Sequence, residues 1–196
     1  MIVIRRILFP IDFSGHTYTT APFVDAMASR FSARLVLLSV VPILSRPSRE
    51  SGQADLIDPE PLKQDLEPRL DGVLRKEFAH LEVERVVELG DPAEVIARFA
   101  DTQGVDLTMM PTRGQGPFRR LLLGSVTAKV VHDAQCPVWT NVHTDQPLPL
   151  DAPVAQTVVC ALDGTPESSP VMDWAARFAG RVGAKLRFVH VIPGLE

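Results

Sequence analysis

The chain has 196 residues, 45% of them hydrophobic and 22% charged, with a formal net charge of −4 and a pI near 5.7. That length and balance suit a globular protein with a real core, and they exclude a global electrostatic attraction to nucleic acid or to an anionic membrane. No apolar run reaches the roughly 18 residues of a membrane span, and the N-terminus lacks a signal-peptide pattern, so the expected compartment is the cytoplasm, with no membrane or nucleic-acid partner.

In chain order, apolar runs of strand length alternate with helical patterns, which predicts an α/β fold with a parallel sheet covered by helices. "RRILFPID" (5–12) reads as a buried strand, "YTTAPFVDAMASRFS" as its crossover helix and "ARLVLLSVVP" (33–42) as a second strand. "ILSRPSRESGQADLIDPEP" follows as a long exposed loop by its Pro, Ser and charge content. "LKQDLEPRLDGVLRKEFAHL" is predicted helical, with Pro68 starting, kinking or dividing it. "EVERVVELG" alternates like a strand.

Asp91, Pro92 and Glu94 then mark the clearest helix start in the chain: a capping carboxylate, a proline at the first helical position, and a glutamate three residues after the cap. "VDLTMMP" (105–111) makes a fourth strand, "GSVTAKVVHDA" (124–134) a fourth helix and "CPVWTNV" (136–142) a fifth strand. Cys136 and Cys160 have neither zinc nor C-x-x-C spacing and fit reduced structural thiols.

After the proline-containing linker the beginning recurs. Shifted by 151 residues, "ILFPID" falls on "VVCALD", Asp12 on Asp163, Ala28 on Ala179, Ala33 on Ala184 and Leu35 on Leu186, without a gap. The expected organisation is a first domain over 1–143, a linker over 144–156 and an incomplete second copy, β-α-β, over 157–196. One strand pair and one helix cannot cover both sheet faces alone.

Residues 111–125 join the fourth strand to the fourth helix at the sheet edge where open α/β folds bind ligands. Gly124 and Ser125 fall at that helix's start, where free N–H groups and the dipole suit a phosphate; Ser125 reads equally well as the helix cap. Gly114 and Gly116 permit close backbone approach, and Arg113, Arg119 and Arg120 bring positive charge or form a solvated surface. Asp12 ends the first strand at the same edge, placed either for a ribose hydroxyl or a phosphate-bound metal, or for capping the turn "DFSG". No H-E-x-x-H, P-loop or nucleophile–base pair is present, so no catalytic site is assigned.

"ILFPIDFS", "LLSVVP", "GDPAEVIARFA" and "TRGQGPFRRLLLGSVTAKVVHDAQCPVWT", in this order and spacing, closely resemble the universal stress protein family over residues 3–142, with 157–193 as a partial second copy of the tandem type. The resemblance implies a doubly wound five-stranded parallel sheet in the order 3-2-1-4-5, frequent homodimerisation through the last strand, and a stress-response role. In one subgroup it implies ATP as ligand, with or without Mg, in a binding module whose slow hydrolysis is at most a side activity. That subgroup's pattern is Gly, two residues, Gly, nine residues, Gly, then Ser or Thr; here Gly114, Gly124 and Ser125 match and Pro111 replaces the first glycine. By resemblance Asp12 addresses the ribose, Pro10 and Val40 surround the adenine, and Gly114, Gly124 and Ser125 hold phosphates.

Pro111 lacks an N–H, which removes one charge-assisted bond of about 1.5–3 kcal/mol, roughly a tenfold to hundredfold affinity loss that Arg113 could offset in part. The alternative is a non-nucleotide member acting as a dimeric interaction or scaffold protein.

Overall fold

The computed structural model describes residues 2–43, 45–47, 54–56, 58–112, 123–141, 155–166 and 168–190, which divide between two units, Ile4–Leu148 and Met1–Val3 with Pro149–Glu196. In the larger unit, β1 (Arg6–Pro10) leads through α1 (Gly15–Phe31) to β2 (Arg34–Val41), and the two strands pair in parallel with Arg6 opposite Arg34 and Pro10 opposite Leu38. β3 (Ser45–Pro47) and β4 (Ala54–Leu56) then form a short antiparallel ribbon inside the segment predicted to be loop. α2 (Glu60–Gly72), β5 (Val83–Leu89), α3 (Pro92–Thr102), β6 (Leu107–Pro111), α4 (Ser125–Asp133) and β7 (Val138–Asn141) complete it.

The five parallel strands run β5-β2-β1-β6-β7. With the ribbon set aside, this is the order 3-2-1-4-5. Alternation along the strands sends side chains to two helical layers. Leu8, Val36 and Leu38, each at most 1% exposed, pack with Ala93, Ile96 and Phe99 of α3 and Val130 of α4. Ile7, Phe9, Leu35 and Leu37 are fully buried on the opposite face, where Phe78 meets Phe9 edge to face at 6.5 Å. No helix among the described residues is long and apolar enough to cross a membrane.

The helix predicted over 62–81 stops at Gly72, with Pro68 lying inside α2, and residues 73–80 form turns. Arg85 of β5 accounts for the stop. Its Nε donates to the Leu70 carbonyl at 3.0 Å and its guanidinium also reaches the Val73 carbonyl at 3.4 Å, replacing amide donors of a continuing helix. Leu74 adopts a left-handed φ of 51°, and Val73, Leu74 and Phe78 all enter the core. His80 Nε2 lies 2.9 Å from Oδ1 of the buried Asp25, which sets the end of this segment against α1.

The smaller unit is β8 (Thr157–Leu162), α5 (Ser168–Val182) and β9 (Lys185–His190). Its parallel register, Thr157 opposite Lys185 through Leu162 opposite His190, reproduces the β1–β2 register displaced by 151 residues. Connecting bonds recur as well. Arg34 N donates to Arg5 O at 2.8 Å, and Lys185 N to Gln156 O at 3.0 Å; Ala33 N to Ala28 O and Ala184 N to Ala179 O are both 2.9 Å.

Candidate functional site

At the carboxyl edge of the five-stranded sheet, the strand order reverses between β1 and β6. This is where a doubly wound sheet opens a crevice. Pro10 is the last residue of β1, and the strand pairing extends one step further through Ile11 N to Leu38 O at 2.8 Å. Asp12 follows and is exposed. Its Oδ1 accepts from Ser14 N at 2.9 Å and from Thr17 Oγ1 at 3.0 Å, which closes the turn into α1. The turn-capping role available to "DFSG" is therefore realised by one carboxylate oxygen.

The second copy repeats the device. Asp163 Oδ1 accepts from Thr165 N at 3.0 Å and from the hydroxyls of Thr165 and Ser168 at 2.8 Å. The Thr165 amide, with both hydroxyls adding, holds the Asp163 carboxyl down at about 2. The residue after each aspartate takes positive φ: Phe13 at 58°, Gly164 at 80°. Arg69 stacks its guanidinium 4.5 Å from the Phe13 ring, covering the side chain that this turn forces outward.

Pro111 ends β6 opposite Asn141 and is buried. Its carbonyl accepts from the buried Thr127 hydroxyl at 3.1 Å, and the next carbonyl, of Thr112, accepts from Gly124 N at 2.7 Å. These two bonds fix the start of α4 against the end of β6. Gly124 occupies the N-cap with extended backbone and no side-chain cap bond, while Ser125 is the first helical residue. The capping alternative for Ser125 is thereby corrected: the cap position belongs to a residue without a side chain, which leaves the approach to the first-turn amides clear of one.

Val40, opposite Glu88 in the β2–β5 register, is half-buried and packs against the core under α3 and α4. Arg113 and Gly114, with Gly116, Arg119 and Arg120, lie outside the described residues. Thus Pro10, Asp12, Pro111, Gly124 and Ser125 share one edge, and Val40 stands near the end of the neighbouring strand.

Three contributors were missed by sequence reasoning. Thr127 and Thr112 do their work through hydroxyl bonds to distant carbonyls, the latter to Asn141 O at 3.0 Å, and no local pattern marks such pairings. Lys129 is the third. Its Nζ reaches Asp91 Oδ1 at 3.2 Å and Glu94 Oε1 at 2.9 Å, joining α4 to the cap of α3. Asp91 also accepts from Glu94 N at 3.0 Å; that backbone bond, and then Lys129, lower its pKa, while Glu94 and Asp91 raise that of Lys129. Among the described residues no group of three His, Cys, Asp or Glu is placed to hold a metal ion.

A model described as the universal stress protein family matches residues 4–140 and 155–196. A universal stress protein of Thermus aquaticus, encoded in a QAH/OAS sulfhydrylase 3′ region, is 36% identical over 141 residues, which is 68% of this chain and 96% of that one. A universal stress protein structure from Archaeoglobus fulgidus superposes with a TM-score of 0.70 at 20% identity, covering 97% of this chain and 67% of its own. A universal stress protein solved in complex with cAMP superposes with a TM-score of 0.54 at 17% identity, covering 71% of this chain and 98% of its own. These two structural likenesses are likenesses of fold.

Proposed function

Since the chain belongs to the universal stress protein family, we propose that it is a stress-response module that binds ATP or a related adenine nucleotide at the carboxyl edge of its sheet, and that it works by binding, not by dedicated catalysis. The observation that carries this reading is the start of α4: a glycine N-cap without a side-chain cap, tethered to the end of β6 and beside the switch point. First-turn amides and the helix dipole are suited to the anionic tail. In this reading Gly124 and Ser125 meet phosphate with Arg113 and Gly114. Pro10, Val40 and the exposed face of Asp12 border the nucleoside. Mg, where bound, rides on the phosphates. The complex of a fold relative with cAMP adds support for the ligand class. We place the protein in the cytoplasm as a homodimer, with its 1–143 domain as the binding unit and 157–196 as a partial second domain.

Isothermal titration with Mg-ATP tests this. Saturable heat at millimolar nucleotide or below, with a raised melting temperature, is the expected result; no heat and an unchanged melting temperature reject it. Adenine nucleotide found by mass spectrometry in protein purified without added ligand gives independent support.

A second reading, a dimeric interaction or scaffold protein without nucleotide, draws on Pro111 and Asp12. The proline offers no amide at its corner, and one Asp12 oxygen is already occupied by the turn.

A further inference from the structure

At the amino edge of the larger sheet, where β2 and β5 begin, the end of α1 and the turns before β5 border a cavity of about 370 Å³ whose walls include Ser29, Ser32, Arg34, His80 and Glu82. Asp25 and Ser29 stand four residues apart on α1 and so share one side of it. Both approach the same atom of His80: Nε2 is 2.9 Å from Asp25 Oδ1 and 3.2 Å from Ser29 Oγ. That ring nitrogen has one proton to give or one lone pair to offer, with two oxygens within reach. Asp25 is 8% exposed, and its Oδ1, closed to solvent, has no hydrogen-bond partner among the described residues despite its nearness to Nε2. The ring nitrogen is therefore not aimed at it. A buried carboxylate oxygen left in this way is costly until a cation meets it.

We propose that Asp25, Ser29 and His80 form a binding site for a transition-metal dication of the zinc type, at the opposite edge of the sheet from the candidate nucleotide site. Donor atoms held by one ion at about 2.0–2.2 Å lie about 2.8–3.6 Å from each other at octahedral or tetrahedral angles, and both separations to Nε2 fall in that span. An ion on the Nε2 lone pair sits off the line from Nε2 to Oδ1, which accounts for a nitrogen and an oxygen that are close without being hydrogen-bonded. Imidazole beside carboxylate favours zinc, nickel or copper over calcium and magnesium, whose preferred ligands are all oxygen. The Ser29 hydroxyl is the weakest of the three donors, and water from the cavity completes the shell. Arg34 on the cavity wall is paired with Glu82, which offsets its charge near the ion. The His80 side chain is 55% exposed and gives the ion a way in. Since Asp25 and Ser29 come from α1 and His80 from the turns before β5, the bound ion joins the two segments and stabilises the folded unit by mass action.

The test titrates Zn2+ alone, without nucleotide, into the isotope-labelled full chain at neutral pH and follows the ring nitrogens of its five histidines. His80 Nε2 is expected to shift and saturate at lower Zn2+ than the rings of His16, His132, His143 and His190, with a rise in melting temperature. Asp25→Asn, which keeps the shape and removes the charge, is expected to weaken binding at His80 by about tenfold or more and to abolish that rise. His80→Gln, at an exposed position, is expected to remove the tightest site seen by calorimetry, and it decides the matter if Asp25→Asn does not fold. The proposal is overturned if another histidine saturates first, if His80→Gln leaves the tightest site intact, or if folded Asp25→Asn binds Zn2+ at His80 as tightly as the unmodified chain, which marks coordination by a surface imidazole only.

Discussion

Leu8 and Val159 hold the same register position in two copies of one strand–helix–strand plan, yet Leu8 is fully buried and Val159 is 60% exposed. Everything that the two copies share is local or nearly so: the aspartate that closes the strand–helix turn, the positive φ that follows it, and the bond that returns the chain from helix to second strand. What separates them is the layer supplied by α3 and α4. The comparison teaches that such a unit needs only its own residues to set register and turns, whereas its burial depends on chain arriving from far away in sequence.

The largest expected effect comes from truncating the equivalent apolar side chain of each copy to alanine. Leu8→Ala should destabilise the larger unit by about 2–5 kcal/mol, measured by denaturant unfolding, because it opens a cavity in a sealed layer. Val159→Ala should change the stability of its unit by less than about 0.5 kcal/mol, read by hydrogen exchange at β8 and β9. Equal effects would break the comparison.

A smaller effect tests the shared turn. Gly164→Ala places a side chain at a φ of 80° and brings its Cβ within 3.2 Å of the His190 ring, so a loss of about 1–2 kcal/mol in local stability is expected from exchange of the β8 and β9 amides. At the equivalent position Phe13 already carries the left-handed conformation, with Arg69 stacked on its ring. An alanine tolerated at 164 would mean that the second turn is not held as the first is.

The smallest concerns pH. Asp163 is held at about 2, below its ordinary value, so its carboxylate contributes stability that is present above the unfolded value near 4. That contribution is lost as pH falls through about 2. Exchange protection at Thr165 should therefore decline over this window, and Asp163→Asn should flatten the decline. A decline unchanged in the variant would assign it to other carboxylates.

Much of this plan was readable because it rests on short-range chemistry. Asp91, Pro92 and Glu94 predicted a helix start, and the structure has Asp91 capping Pro92–Thr102 through Glu94 N. The alternation of strand and helix predicted a parallel sheet covered by helices, and the family resemblance implied its order. The misses had distant causes. Residues 73–80 have helical composition, but Arg85, in the following strand, takes the carbonyls at the end of α2. The β3–β4 ribbon hid in a segment that reads as loop, since three-residue strands carry too few side chains to show a period. At the candidate site, Gly124 and Ser125 were seen together, but which one caps was decided by the bond from Gly124 N to Thr112 O.

That last bond has a bearing on how the molecule can change over evolutionary time. With Thr112 and Gly124 clasped at 2.7 Å, and Thr127 fastened to Pro111 one step behind, the end of β6 and the start of α4 are joined at a double clasp. Substitutions or insertions between these two points leave strand and helix where they are, and each doubling of the intervening length costs only about 0.6 kcal/mol in closure entropy. The clasp thus separates the cost of holding the frame from the cost of changing the length that bridges it.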